Sequence, residues 1–157
     1  MTLLALIAAL VAAIPGQEAN MDYDGVTRVE YIFTDSSVPP QYHRSFVIEV
    51  TRDSALVVVD SYGEVLARET RALAPDEFQS LLETLEEAGL AIVLEKENEG
   101  CTGGTTEAVV LYEGESEVFR GWVYHCAGED YGTLEGDVEA VARRIRALIP
   151  DLARLRE

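Results

Sequence analysis

Between Val26 and Thr70 the apolar side chains recur at every second position, and after Pro75 the period lengthens to that of a helix. That switch narrows the fold more than any other feature of the chain, because a period of two buries one face of a strand and a period near 3.6 buries one stripe of a helix. Val29, Tyr31 and Phe33 alternate with Arg28, Glu30 and Ile32, so a first strand is expected over Val26 to Phe33. Pro39 and Pro40 remove amide donors from the segment Thr34 to Gln41, which is expected to be an extended, unpaired loop. Phe46, Ile48 and Val50 define a second strand and Ala55 to Val59 a third. After the turn Ser61-Tyr62-Gly63-Glu64, Val65 to Thr70 returns as a hairpin partner.

Pro75 fits the first helical position, Asp76 and Glu77 suit the positive end of a helix dipole, and Phe78, Leu81, Leu82 and Leu85 mark the buried stripe. Gly89 closes this helix. The apolar run Leu90 to Leu94 has no clear period, and Glu95 to Thr106 reads as a loop. Ala108 to Tyr112 and Glu117 to Tyr124 flank a hairpin-length connection, and a second amphipathic helix runs from about Asp137 to Ile149, where Pro150 stops it. The expected order is ββββαββα. The predicted fold is α+β: a two-layer sandwich with about six mainly antiparallel strands and two helices on one face. Two stretches, Ala55 to Ala88 and Glu107 to Leu148, are each a hairpin followed by a helix, too weakly alike to count as a repeat.

The length of 157 residues suits one domain. Leu3 to Ile14 is uninterrupted apolar sequence, too short to span a bilayer, and is followed by Pro15, Gly16 and a polar stretch. This is the layout of a signal peptide, so the expected division is 1–19 signal peptide, 20–150 one domain and 151–157 a tail, with a secreted or periplasmic location. No span is expected in the mature chain. Export would pair Cys101 with Cys126 in a structural disulfide. Twelve Lys and Arg against 29 Asp and Glu leave a net charge of -17, which argues against nucleic acid as a partner. A protein or envelope component remains as the expected partner, and a monomer is the expected state.

Only His43 and His125 can serve a histidine-dependent mechanism. His43 follows Asp35, Ser36 and Ser37 closely, but no nucleophile elbow or oxyanion segment accompanies a triad there. His125, Cys126, Cys101 and His43 offer enough soft ligands for zinc but lack the paired spacing of a zinc site. The glycine-rich stretch Gly100 to Thr106 lacks the lysine and the following helix of a phosphate loop. The acidic runs match no calcium loop. No catalytic residue, metal or cofactor is therefore assigned. The binding candidates are Arg120, Trp122 and Tyr124, alternating on one strand face, together with Tyr42, His43 and Arg44 beside the proline loop.

The segments Ser36 to Phe46, Gly100 to Thr105 and His125-Cys126-Ala127-Gly128, following an apolar first segment, resemble exported bacterial proteins of uncharacterised type. The resemblance covers the layout from Val26 to Leu148, implies export and transfers no catalytic residue. Two functions are consistent with these residues. One is a non-enzymatic exported module that binds through its open sheet face and the stiff loop Asp35 to Arg44, an inhibitor-like use of that loop included. The other is a small secreted hydrolase using His43 or His125.

Overall fold

A computed structural model describes residues 21–98 and 100–157; the expected signal segment, 1–19, lies outside them. A short 3-10 turn, Tyr23–Gly25, precedes four strands: β1 (Arg28–Thr34), β2 (Ser45–Thr51), β3 (Ser54–Ser61) and β4 (Glu64–Ala72). Helix α1 (Pro75–Ala88) follows, then β5 (Ala91–Lys96), β6 (Thr105–Glu113), β7 (Ser116–Cys126) and β8 (Glu129–Glu135), and finally α2 (Val138–Ala147) and α3 (Leu152–Leu155). All eight strands form one sheet in the order β4-β3-β2-β1-β6-β7-β8-β5, and every neighbouring pair is antiparallel.

The α+β class and the antiparallel sheet agree with expectation, but the sheet has eight strands where about six were expected. The two additional strands are β5, formed from the apolar run of unclear period, and β8, which the sequence pattern had not suggested. They are each other's neighbours at one edge, and their pairing, rather than their own alternation, makes them strands. The proline loop also departs from expectation. The amides of Tyr42 and His43 both donate to the carbonyl of Pro39, at 2.8 and 3.2 Å, so the chain turns back there. The Ser61 hydroxyl donates to the Pro40 carbonyl and the Tyr62 hydroxyl to that of Val38, folding the loop onto the β3–β4 turn. It is not extended.

One face of the sheet carries the core. Val29 and Tyr31 of β1, Phe46, Ile48 and Val50 of β2, and Val109 and Leu111 of β6 point toward the helices and are buried with Leu81 and Leu85 of α1 and Val141 and Ile145 of α2. Burying each such side chain stabilises the fold by roughly 1.5–3 kcal/mol. Glu77 starts α1 by accepting the Ala74 amide at 2.9 Å and a two-pronged contact from Arg71. These contacts hold its carboxyl below the usual range, the Ala74 amide first and Arg71 next. Because α1 connects β4 at one edge to β5 at the other, it must pass across the strands, and this crossing brings β5 to the far side of the sheet.

Cys101 and Cys126 stand at bonding distance, with 6.1 Å between their Cα atoms and a sequence separation of 25. In the chain-entropy account such a bridge stabilises the fold by roughly 3.5 kcal/mol. It ties the β5–β6 connection to the end of β7.

Two glycines at helix boundaries separate conformational need from close packing. Gly89, the C-cap of α1, has φ 58° and open space where a Cβ would lie. Gly136, between β8 and α2, has φ 112°, and a Cβ there would stand 2.8 Å from the carbonyl oxygens of Ala88 and Gly89. We expect Gly89→Ala to cost about 1 kcal/mol and Gly136→Ala at least about 3 kcal/mol, compared by urea unfolding. Equal losses would mean that the close approach of the β8–α2 link to the end of α1 does not exist.

Candidate functional site

The helices leave part of the core-side face uncovered at the β8–β5 edge. Ile92 pairs with Leu134 and Lys96 with Gly132, so four steps along β5 match two along β8, and Val93 to Glu95 stand out of register. The arch opens a cleft of about 550 Å³ between β5, β8 and the first turn of α2. Val93 and Leu94 line one wall, Val123 and Leu134 lie within it, and Val138 and Glu139 face it from α2. Its charged lining is one-sided: Asp130, Glu135, Asp137 and Glu139 against Lys96. Asp137 caps α2 by accepting the Ala140 amide at 2.9 Å, which together with Glu139 offsets the positive end of that helix.

Behind the cleft a row of polar side chains crosses four strands on the core-side face. His125 Nδ1 lies 2.7 Å from Asp130 Oδ1, the contact expected of an Nδ1–H donating to a carboxylate. His125 Nε2 lies 3.6 Å from Glu107 Oε2. The other oxygen of Glu107 accepts from the Tyr31 hydroxyl and from Arg146 Nη2, both at 2.6 Å, and Arg146 also meets the Tyr31 hydroxyl. Arg146 reaches this point from α2, its guanidinium 5.2 Å from the centre of the Tyr31 ring. The Glu107 side chain is only 13% exposed, so its two cross-strand partners and the guanidinium stand in for lost water.

This geometry sorts the residues expected from sequence. His125 is in the cleft wall, oriented by Asp130. His43 is 4% exposed; it stacks on Tyr62 with ring centres 3.9 Å apart, and its Nε2 lies 3.3 Å from Ser45 Oγ. Asp35 uses one carboxylate oxygen on the Ser36 amide and the other on the Arg44 amide. No triad of His43 with Asp35, Ser36 or Ser37 forms. Tyr42 is 68% exposed at the loop tip, and Arg44 is bound to the carbonyls of His43 and Glu157.

The other half of the expected patch lies elsewhere. Arg120 is held by Glu117 in a two-pronged contact on the open face. Trp122 ends an apolar row of direct cross-strand neighbours, Val58, Val47, Ile32, Ala108 and Trp122, on that face. The Tyr124 hydroxyl accepts the Gly104 amide and donates to the Cys101 carbonyl, bracing the bridged loop. Strands β1 and β6 separate β2 from β7, a gap of about 14 Å, so Tyr42, His43 and Arg44 do not join Arg120, Trp122 and Tyr124 in one site. The bridge takes both cysteines from any zinc set. Among the described residues no group of three or more His, Cys, Asp or Glu is placed to hold a metal ion.

Sequence reading missed Asp130, Glu107 and Arg146. Asp130 carried little signal in the sequence: Ala127 and Gly128 form a two-residue hairpin turn with positive φ, 53° and 85°, which sets position 130 opposite 125, but Ala-Gly is not the Asn-Gly or Asp-Gly pair that marks such turns in sequence. Comparison with protein-family models, with curated proteins and with solved structures finds no match in any of the three.

Burial, and then the hydrogen bond to the Glu107 carboxylate, push the Tyr31 hydroxyl well above its ordinary pKa of 10.0. The folded chain thus keeps a proton that the unfolded chain gives up, and the stability due to Tyr31 is complete below pH 10.0 and is lost as pH climbs beyond it. We expect Tyr31→Phe to cost about 1 kcal/mol at neutral pH, with the gap to the parent protein closing above pH 10.0 in urea unfolding. A gap that stays constant across that range would contradict the arrangement.

Proposed function

We propose that this chain is an exported binding module, and that its cleft between β5, β8 and α2 takes a cationic segment of a partner protein. The observation that carries the reading is the lining of that cleft, where Asp130, Glu135, Asp137 and Glu139 surround apolar Val93, Leu94, Val123 and Leu134 while its one lysine, Lys96, is paired with Glu129 at 3.1 Å. Apolar walls supply burial and the carboxylates select charge, the usual division of labour in a recognition site. The net charge of -17 steers cationic partners toward the chain and repels anionic ones. Export is supported by the apolar first segment and by the bridged pair Cys101 and Cys126. The folded-back proline loop gives no support to an inhibitor-like use of Asp35 to Arg44.

The test is fluorescence anisotropy with a labelled lysine-rich peptide. Glu135→Gln combined with Glu139→Gln is expected to weaken binding about tenfold, and added salt to weaken it further. Glu115→Gln, at the distant β6–β7 turn, is the control. Equal binding by the cleft double variant and the control would exclude the cleft.

One contact favours a second reading. His125 oriented by Asp130 within a cleft is the orienting half of a general base. Among the described residues no hydroxyl or thiol hydrogen-bonds to His125, so in a hydrolase this base would activate water directly. Turnover of a chromogenic ester or phosphate substrate, lost in His125→Gln and retained in His43→Gln, is the result this reading requires. Equal turnover in the two variants would exclude it.

A further inference from the structure

We infer that the cationic segment binds as an added strand, pairing with the outer edge of β5 and laying alternate side chains into the cleft. This rests on the binding reading above and specifies how the partner is held. β5 ends the sheet order, so among the described residues no strand lies beyond it. An unpaired edge presents a row of amides and carbonyls to any chain that approaches extended. Natural edges are commonly blunted by charge, proline or a bulge; β5 carries the bulge but no charge or proline at its centre, Ile92-Val93-Leu94, with Ile92 51% and Leu94 95% exposed. The opposite edge, β4, also exposes Val65 and Leu66, but its second half carries Arg68, Glu69 and Arg71 and it is not beside the cleft.

The position of the edge decides the chemistry of its occupant. A strand laid along β5 projects every second side chain toward the core-side face, where Asp130 of β8 stands beside His125 and Glu139 projects from α2. Its other side chains pass toward the open face. The occupant that fits carries Lys or Arg at alternate positions, a spacing that a helix would scatter around its circumference. A second copy of this chain fits poorly. Each copy carries a charge of -17, and edge-to-edge pairing would bring two acidic clefts together.

Backbone N-methylation provides the test, since it deletes one amide donor at a time without changing side-chain charge. The probe is a short labelled peptide alternating lysine and threonine, titrated against the full chain by anisotropy. Methylating two amides of the parity that faces β5 is expected to weaken binding about tenfold or more, and methylating the other parity to leave it unchanged. A peptide of the same composition with lysines at every third or fourth position is expected to bind at least about tenfold more weakly. If the parent peptide binds but methylation shows no dependence on parity, strand addition is overturned while the cleft reading stands. A parent peptide that does not bind at all overturns both. Concentration-dependent dimerisation abolished by Leu94→Lys would assign the edge to a second copy and also overturn the proposal.

Discussion

Seven consecutive pairs join β1 to β6, from Arg28 opposite Tyr112 to Thr34 opposite Thr106, and the whole sheet hangs on that seam. It is where the meander β1 to β4 meets the meander β6 to β8. The seam also sets the site. It places Phe33 directly opposite Glu107 and Tyr31 within reach of the same carboxylate. Arg146 descends on that carboxylate from α2, so one half-buried acid is shared by two strands and a helix. Removing either donor would leave a carboxylate short of partners in a region with little water, which is why such clusters fix the register of the elements that meet in them.

From Glu107 the polar row leads outward to His125 and Asp130, and so to the cleft. The cleft exists because α1 must cross from the β4 edge to the β5 edge, returning the chain on the far side of β8. Gly136 lets the β8–α2 link pass tightly against the end of α1, and the amide of Asp137 donates to the Ala88 carbonyl at 2.9 Å. The start of α2 is thus anchored beside β5. With both neighbours anchored, the extra residues of β5 have nowhere to go but outward, and the arch at Val93 to Glu95 is the result. Gly121 assists from the floor: a Cβ there would stand 2.7 Å from Leu134 Cδ1 and 2.9 Å from Ile92 Cδ1, so both side chains lean over the space it leaves.

What the sequence made legible follows the strength of its periodicity. Strands β1 to β4, helix α1 and the β6–β7 hairpin carry clear alternation or a helical stripe, and their boundaries match within about three residues. β8 was hidden because Tyr131 and Leu134 fall on opposite faces with Gly132 between them, leaving no alternation to detect. β5 was seen as apolar but not as a strand, since an apolar run has the same appearance in either state. Without those two strands the cleft could not be inferred. The expected patch of Arg120, Trp122 and Tyr124 had its shared face right, but sequence spacing gave no warning that Glu117 holds Arg120 or that Tyr124 serves the bridged loop. His43 was drawn toward Asp35 by nearness in the chain, whereas the fold turns it inward to Tyr62 and Ser45.

An exposed apolar edge is ordinarily a liability, because it accepts any extended chain, including another copy of itself. Here two features restrict what it accepts. The arch of β5 twists its central residues out of register, which shortens the run available to a flat partner. The surrounding carboxylates then discriminate by charge, and at physiological ionic strength that discrimination extends only about 8 Å, so it acts on chains already close to the edge. A second acidic copy meets repulsion at the distance where a basic segment meets attraction. On the proposed reading, the charge excess that argues against nucleic acid also favours a cationic chain at this edge. Self-association and recognition are opposed consequences of the same field.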